Sequence, residues 1–143
     1  MPNTLTAPQA ILIIGGMLNI LISSLAGYLV LWIRARDPRK PISRYAVTTH
    51  TSAVLNGVLL LGLSVAIVHT GFIAPIAIGI AIAEVLATLL STLRNIISWS
   101  HGFNDAIAEG SDAGIRARGL VNMIHLINAA AILYGVTRTA LGI

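Results

Sequence analysis

Apolar residues fall into four long runs, at about 8–33, 44–69, 74–99 and 119–141, with polar breaks between them. Each run exceeds the roughly 20 residues that a helix needs to cross a bilayer's hydrocarbon core. The pattern predicts an all-α integral membrane protein, a single domain (1–143) folded as a bundle of four transmembrane helices. Pro8 and Pro75 stand near the starts of the first and third runs, where a missing backbone N–H costs little. The first break, 34–44, carries five basic residues (Arg34, Arg36, Arg39, Lys40, Arg44) with Pro38 and Pro41. The second is a tight turn, 69–72, without Lys or Arg, and His69 is expected at the membrane interface. The third, 100–118, is the longest and holds Gly102, Gly110 and Gly114 among mixed charges.

Positive loops stay on the cytoplasmic side. The first break therefore predicts that 34–44 and 100–118 are cytoplasmic and that both termini lie opposite, with a bacterial inner membrane as the expected location. Met1 to Gln9 carries no basic residue and no clear cleavage site follows. The first run is thus expected to be a retained span rather than a secretory signal.

Composition agrees with this layout and closes several routes. The chain is 56% hydrophobic and only 10% charged, against about 25% charged in soluble domains. With no cysteine, disulfides, thiolate metal sites, iron–sulfur clusters and a cysteine nucleophile are excluded. The formal charge of +4 gathers in loops without a basic–aromatic pattern, so it speaks for topology and not for nucleic-acid binding. No phosphate loop and no pair of histidines at i, i+4 is present.

Candidate chemistry lies in the polar positions inside the apolar runs, since polar groups at that depth usually face the protein interior and mark a site. In the first run, Asn19 is expected to make an interhelical hydrogen bond, and Gly15, Gly16, Ser23, Ser24, Ala26 and Gly27 permit close helix contact. The second run carries His50 and Asn56. Six residues turn a helix by about 600°, so these two point roughly 120° apart and about 9 Å along the axis. They line two walls of a wide cavity, or one of them faces a neighbour. His50 is compatible with two roles, a metal or haem ligand or a helix–helix hydrogen-bond partner. Gly57 shares its face at i+7 and admits either a flat ligand or a close helix beside it. Arg44 is among the loop arginines available to a cofactor's carboxylates.

In the third run Glu84, Thr88, Ser91, Asn95 and Ser98 follow offsets of four and three and share one face. Arg94 sits about a quarter-turn away and is expected to meet another helix or a cofactor carboxylate. In the fourth, Arg118, Asn122, His125 and Ala129 share a face, and Arg138 is expected to snorkel at the far end. Glu84, Asn122 and His125 are pocket candidates. Together these faces would make an apolar pocket with a few polar contacts, the usual make-up of a small-ligand site.

The segment His50-Thr51-Ser52-Ala53-Val54-Leu55-Asn56-Gly57, behind a basic residue and leading into an apolar helix, resembles the central segment of the styrene oxide isomerase family. Ala10 to Ile14 and, more weakly, the region of Asn95 resemble that family too, over about the first two thirds of the chain. The resemblance implies a homotrimer in the bilayer with haem b at subunit interfaces. It implies that His50 is the axial ligand of ferric haem, beside Gly57, and that Asn56 lines the substrate side. Asn95 and Trp99 are the third-helix catalytic candidates, with Trp99 standing where the family has a tyrosine. Ser52 and Ala53 replace the family's glycine and proline. The implied reaction converts a small apolar epoxide to an aldehyde or ketone, with the iron as Lewis acid and no net redox change. Two other readings stand beside it. One is a membrane cytochrome with His125 or His69 as second axial ligand. The other is a haem-free transporter subunit working through Glu84.

Overall fold

Local signals place the helix ends. In this computed structural model, which describes residues 4–39, 41–102 and 112–143, α1 spans Ala7–Arg36. The Gln9 side-chain oxygen accepts from the Thr6 backbone N–H at 3.1 Å, satisfying one orphan donor at the helix entrance. At 30 residues, α1 is about 45 Å long and outreaches the hydrocarbon core. At its far end the Arg36 guanidinium lies 4.0 Å from the centre of the Trp32 ring, a cation–π contact suited to the interface.

Ser43 caps α2 (Arg44–Ala66) by accepting from the Tyr45 N–H at 3.2 Å. One 3-10 turn, Ile67–His69, ends that hairpin arm. Gly71, at φ 66°, reverses the chain. The helices α3 (Ala74–Ser100) and α4 (Asp112–Leu141) follow. The last helix begins ahead of its apolar run, inside the polar segment. All four helices are long and apolar enough to cross a membrane, and no strand occurs among the described residues.

The bundle is inside-out relative to a soluble protein. Leu21, Leu25, Leu31, Leu55, Leu126 and Leu133 face outward. The interior holds Ala26, Ala46, Ala53, Ala81 and Ala87 beside Asn19, Ser23, Thr49, Thr88 and Thr92. This is the arrangement expected where lipid is as apolar as leucine and helices associate through small and polar residues. The chain is an integral membrane protein in this coarse sense.

Helices α1, α2 and α3 all contact one another, while α4 lies against α3 and the 3-10 turn. The α1–α2 crossing is tightest at Gly16 and Gly57. A Cβ added to Gly57 would come within 2.9 Å of the Gly16 carbonyl oxygen and 2.6 Å of Ile20. The bland option for Gly57, a close neighbouring helix, is the one realised.

Candidate functional site

His50 projects from α2 toward α1 and meets Ser23 and Gly27. Its Nδ1 lies 2.9 Å from the Ser23 carbonyl oxygen and 2.9 Å from the Ser23 hydroxyl. A carbonyl only accepts, so Nδ1 carries the proton and donates. The Ser23 hydroxyl in turn donates to the His50 carbonyl at 2.8 Å. The imidazole is thereby held in one tautomer and one orientation, with its Nε2 lone pair left unused. That is how a ligating histidine is usually prepared, with the second nitrogen tied to a carbonyl or carboxylate.

Gly27 makes room for the ring. A Cβ there would lie 3.0 Å from Nδ1 and 3.1 Å from Cε1. Beside the ring opens a cavity of about 500 Å³ lined by Ser24, Gly27, Tyr28, Val30, Leu31, Val47 and His50. Its size falls within the roughly 300–1,000 Å³ of small-molecule sites. Its outer walls are open, with Tyr28 69%, Leu31 70% and Val47 49% exposed. The cavity therefore faces out of the bundle, not into its centre.

Asn56 does not share this cavity. Its amide donates to the Thr88 carbonyl and to the Thr92 hydroxyl, each at 3.4 Å, between α2 and α3. The angular offset of His50 and Asn56 had left two placements open, and the two side chains take separate ones. Nearby, fully buried Asn19 donates to the Gly15 carbonyl at 3.0 Å and to the Thr88 hydroxyl at 3.3 Å. It accepts from the Thr92 hydroxyl at 3.1 Å. The expected interhelical hydrogen bond of Asn19 is thus present. Asn95 donates to the Ser52 hydroxyl at 2.9 Å. These polar groups form the seam of α1, α2 and α3, and partnered as they are, their burial is tolerated.

Trp99 lines a different cavity, of about 350 Å³, with Ile22, Leu25, Ala26, Leu29, Thr49 and Ile96. It lies on the α3 side of α1, at the same end of the bundle. Gly57 is filled against α1 and borders neither space. Arg44, at the start of α2, is exposed and outside the residues lining the His50 cavity.

Glu84 is 2% exposed and holds α4 to α3. One carboxylate oxygen accepts from His125 Nδ1 at 2.6 Å and the other from Asn128 at 2.8 Å. Pairing Glu84 with His125 follows the expected meeting of the third and fourth helices. Asn122 does not join them. It is exposed, because the inner side of α4 runs through His125, Asn128, Ile132 and Gly135. Of the stripe Arg118, Asn122, His125 and Ala129, Arg118 and His125 turn inward while Asn122 and Ala129 are exposed. Polar and apolar residues are spread almost evenly around α4, which offered no contrast from which to fix its inner face. Arg94 meets no carboxylate among the described residues, and Ala117, next to Arg118, borders the same groove.

Sequence reasoning had passed over Gly27 as a wall for His50, and also Ser52, Thr92 and Asn128. Thr92 was legible as the i+4 neighbour of Thr88. The others depend on which helix lies opposite, which spacing within one helix does not contain. No family model, curated protein or solved structure matches the chain.

Proposed function

We propose that this chain is a haem-dependent membrane isomerase that converts a small apolar epoxide to an aldehyde or ketone. The observation that carries the reading is His50, locked through Nδ1 onto the Ser23 carbonyl with Nε2 free beside an apolar cavity. The residues there fit a haem b. His50 would hold the iron through Nε2, Gly27 lets the ring seat closely against α1, and Val30, Leu31 and Val47 offer apolar walls to a flat macrocycle. Bound there, ferric haem supplies a Lewis acid for the epoxide oxygen without net redox change.

The chain's own residues do the rest. The Ser23 carbonyl fixes the imidazole's direction and raises its donor strength. The apolar walls keep water away, so that an opening epoxide rearranges through a 1,2-shift instead of being hydrolysed to a diol. No acid–base pair is required.

The open outer wall is closed by a second copy, in the homotrimer that the family resemblance implies. A ring built from one repeated interface seats one copy's His50 cavity against the next copy's Trp99 cavity. There the indole N–H and π face meet the substrate. Asn56 and Asn95 are positioning residues that hold α2 on α3. Exposed Asn122 belongs to a face covered by a neighbour, since an amide facing lipid is costly.

The cytochrome reading needs a second axial histidine. Within one copy none of His69, His101 and His125 lines the His50 cavity. The transporter reading rests on Glu84, which lines none of the described cavities and ties α3 to α4 through His125 and Asn128.

The test is expression with haem supplied, purification in mild detergent, and a screen of aryl and alkyl epoxides for carbonyl products. The proposal expects a Soret band and carbonyl formation, both lost in His50→Ala. Full haem content in His50→Ala would remove the ligand assignment. A haem-loaded protein inert toward every epoxide would remove the reaction.

A further inference from the structure

At the end of the bundle that carries the basic loop, two guanidinium groups lie close together with no carboxylate partner among the described residues. Arg94 lies six residues before the end of α3 and Arg118 six residues after the start of α4, each roughly 9 Å along its helix from that end. The Nε atoms of both are buried and have no hydrogen-bond partner. Arg94 and Ala117, the neighbour of Arg118, border one groove, which brings the two like charges close. Two like charges brought together in a poorly hydrated place, each with an unused donor, are destabilising unless an anion joins them.

Directly beside Arg94 runs a groove of about 240 Å³ between the same two helices. Leu90, Leu93, Ile97, Ala117, Leu120 and Val121 line it with Arg94. Leu90, Leu93 and Leu120 are each at least half exposed along it. The combination is a cationic head above an apolar trough. It shares no lining residue with the His50 cavity, which lies between α1 and α2.

We propose that Arg94 and Arg118 bind the phosphodiester headgroup of an anionic phospholipid whose acyl chain lies in the α3–α4 groove. A guanidinium presents paired N–H donors that match phosphate oxygens, so two of them account for both unused Nε groups. Basic pockets between membrane helices on the cytoplasmic side are suited to anionic lipid, and the basic loop 34–44 assigns this end to that side. The lipid supplies a counter-charge and ties α4 to α3 near this end, as Glu84 and His125 do at mid-span. A free phosphate would satisfy the arginines but leave the groove unfilled.

The test uses the protein, expressed with haem supplied and purified in detergent. Binding of dioleoyl phosphatidylglycerol, dioleoyl phosphatidylcholine and inorganic phosphate is compared by native mass spectrometry and thermal melting. The expected result is retention of phosphatidylglycerol with a raised Tm, little effect of phosphatidylcholine, and no stabilisation by inorganic phosphate. Arg94→Gln and Arg118→Gln should each weaken phosphatidylglycerol binding about tenfold, the size of a lost charge-assisted hydrogen bond. Val121→Trp, which fills the groove and keeps both charges, should weaken it as well. Arg39→Gln in the basic loop should not.

Unchanged phosphatidylglycerol binding in both arginine variants would overturn the proposal. Equal stabilisation by inorganic phosphate would overturn the lipid in favour of a free anion. Loss of the Soret band in Arg94→Gln with lipid binding intact would instead give the pair to the cofactor. Because the lipid arms are read by mass and melting, they hold even if no epoxide is turned over.

Discussion

His50 and His125 stand inside the same membrane bundle and differ in what surrounds them. Each spends Nδ1 on an oxygen acceptor, His50 on the Ser23 carbonyl and His125 on the Glu84 carboxylate. Each keeps Nε2 in reserve, so ring orientation alone does not separate ligand from strut. Room does. His50 lies over Gly27 at the wall of an apolar cavity of about 500 Å³, whereas His125 lines none of the described cavities and closes a polar clamp with Glu84 and Asn128. The comparison teaches that two intramembrane histidines with the same hydrogen bonding differ in the room their neighbours leave: small and apolar ones leave space for a ligand, and polar ones close a clamp between helices.

Filling the space beside His50 should produce the largest effect. Gly27→Val puts carbon within about 3 Å of the ring and should leave haem content near zero, with an overpacking cost to the apoprotein of about 1–3 kcal/mol. A pyridine haemochrome assay with a melting curve checks both. A full haem complement in Gly27→Val would erase the contrast between the two histidines.

Breaking the clamp should do the reverse. Glu84→Ala leaves His125 and Asn128 unpartnered and should cost about 3–5 kcal/mol, seen as a lower detergent midpoint for unfolding. Haem per folded protein should be unchanged. A selective loss of haem would mean that the two regions are one site.

Smaller effects sharpen the account of the seam. Gly57→Ala presses on Ile20 and the Gly16 carbonyl and should cost about 1–3 kcal/mol, the usual range for overpacking. Its haem affinity should not change, since Gly57 borders α1 and not the cavity. Asn56→Ala gives up two long hydrogen bonds of 3.4 Å and should cost about 1 kcal/mol or less. A large drop in kcat with unchanged KM in Asn56→Ala would instead place that amide on the reacting substrate.

Much of the architecture was legible because hydropathy and length decide it. Runs at 8–33, 44–69 and 74–99 lie within helices or the turn that extends them, and prolines and small polar residues mark their ends. The fourth helix begins at Asp112, earlier than its apolar run, because helix formation continues through polar residues that hydropathy reads as loop. Asn19 was readable as an interhelical donor, since one amide in an otherwise apolar run has few other options. Asn122 was misplaced for Asn128, because a helix with polar residues spread around it does not reveal its inner face. Gly27 beneath His50 depends on the α1–α2 crossing, which is fixed at Gly16 and Gly57 and lies outside any one helix's periodicity.

The most direct test of the central claim is the absorption spectrum of the protein and of His50→Ala, both expressed with haem and purified in mild detergent, oxidised and reduced. The account predicts one haem per chain with a five-coordinate or water-ligated ferric spectrum, and no Soret band in the variant. A parent protein without a Soret band, even after reconstitution with haem, would contradict it and leave His50 as a hydrogen-bonding tie between α1 and α2.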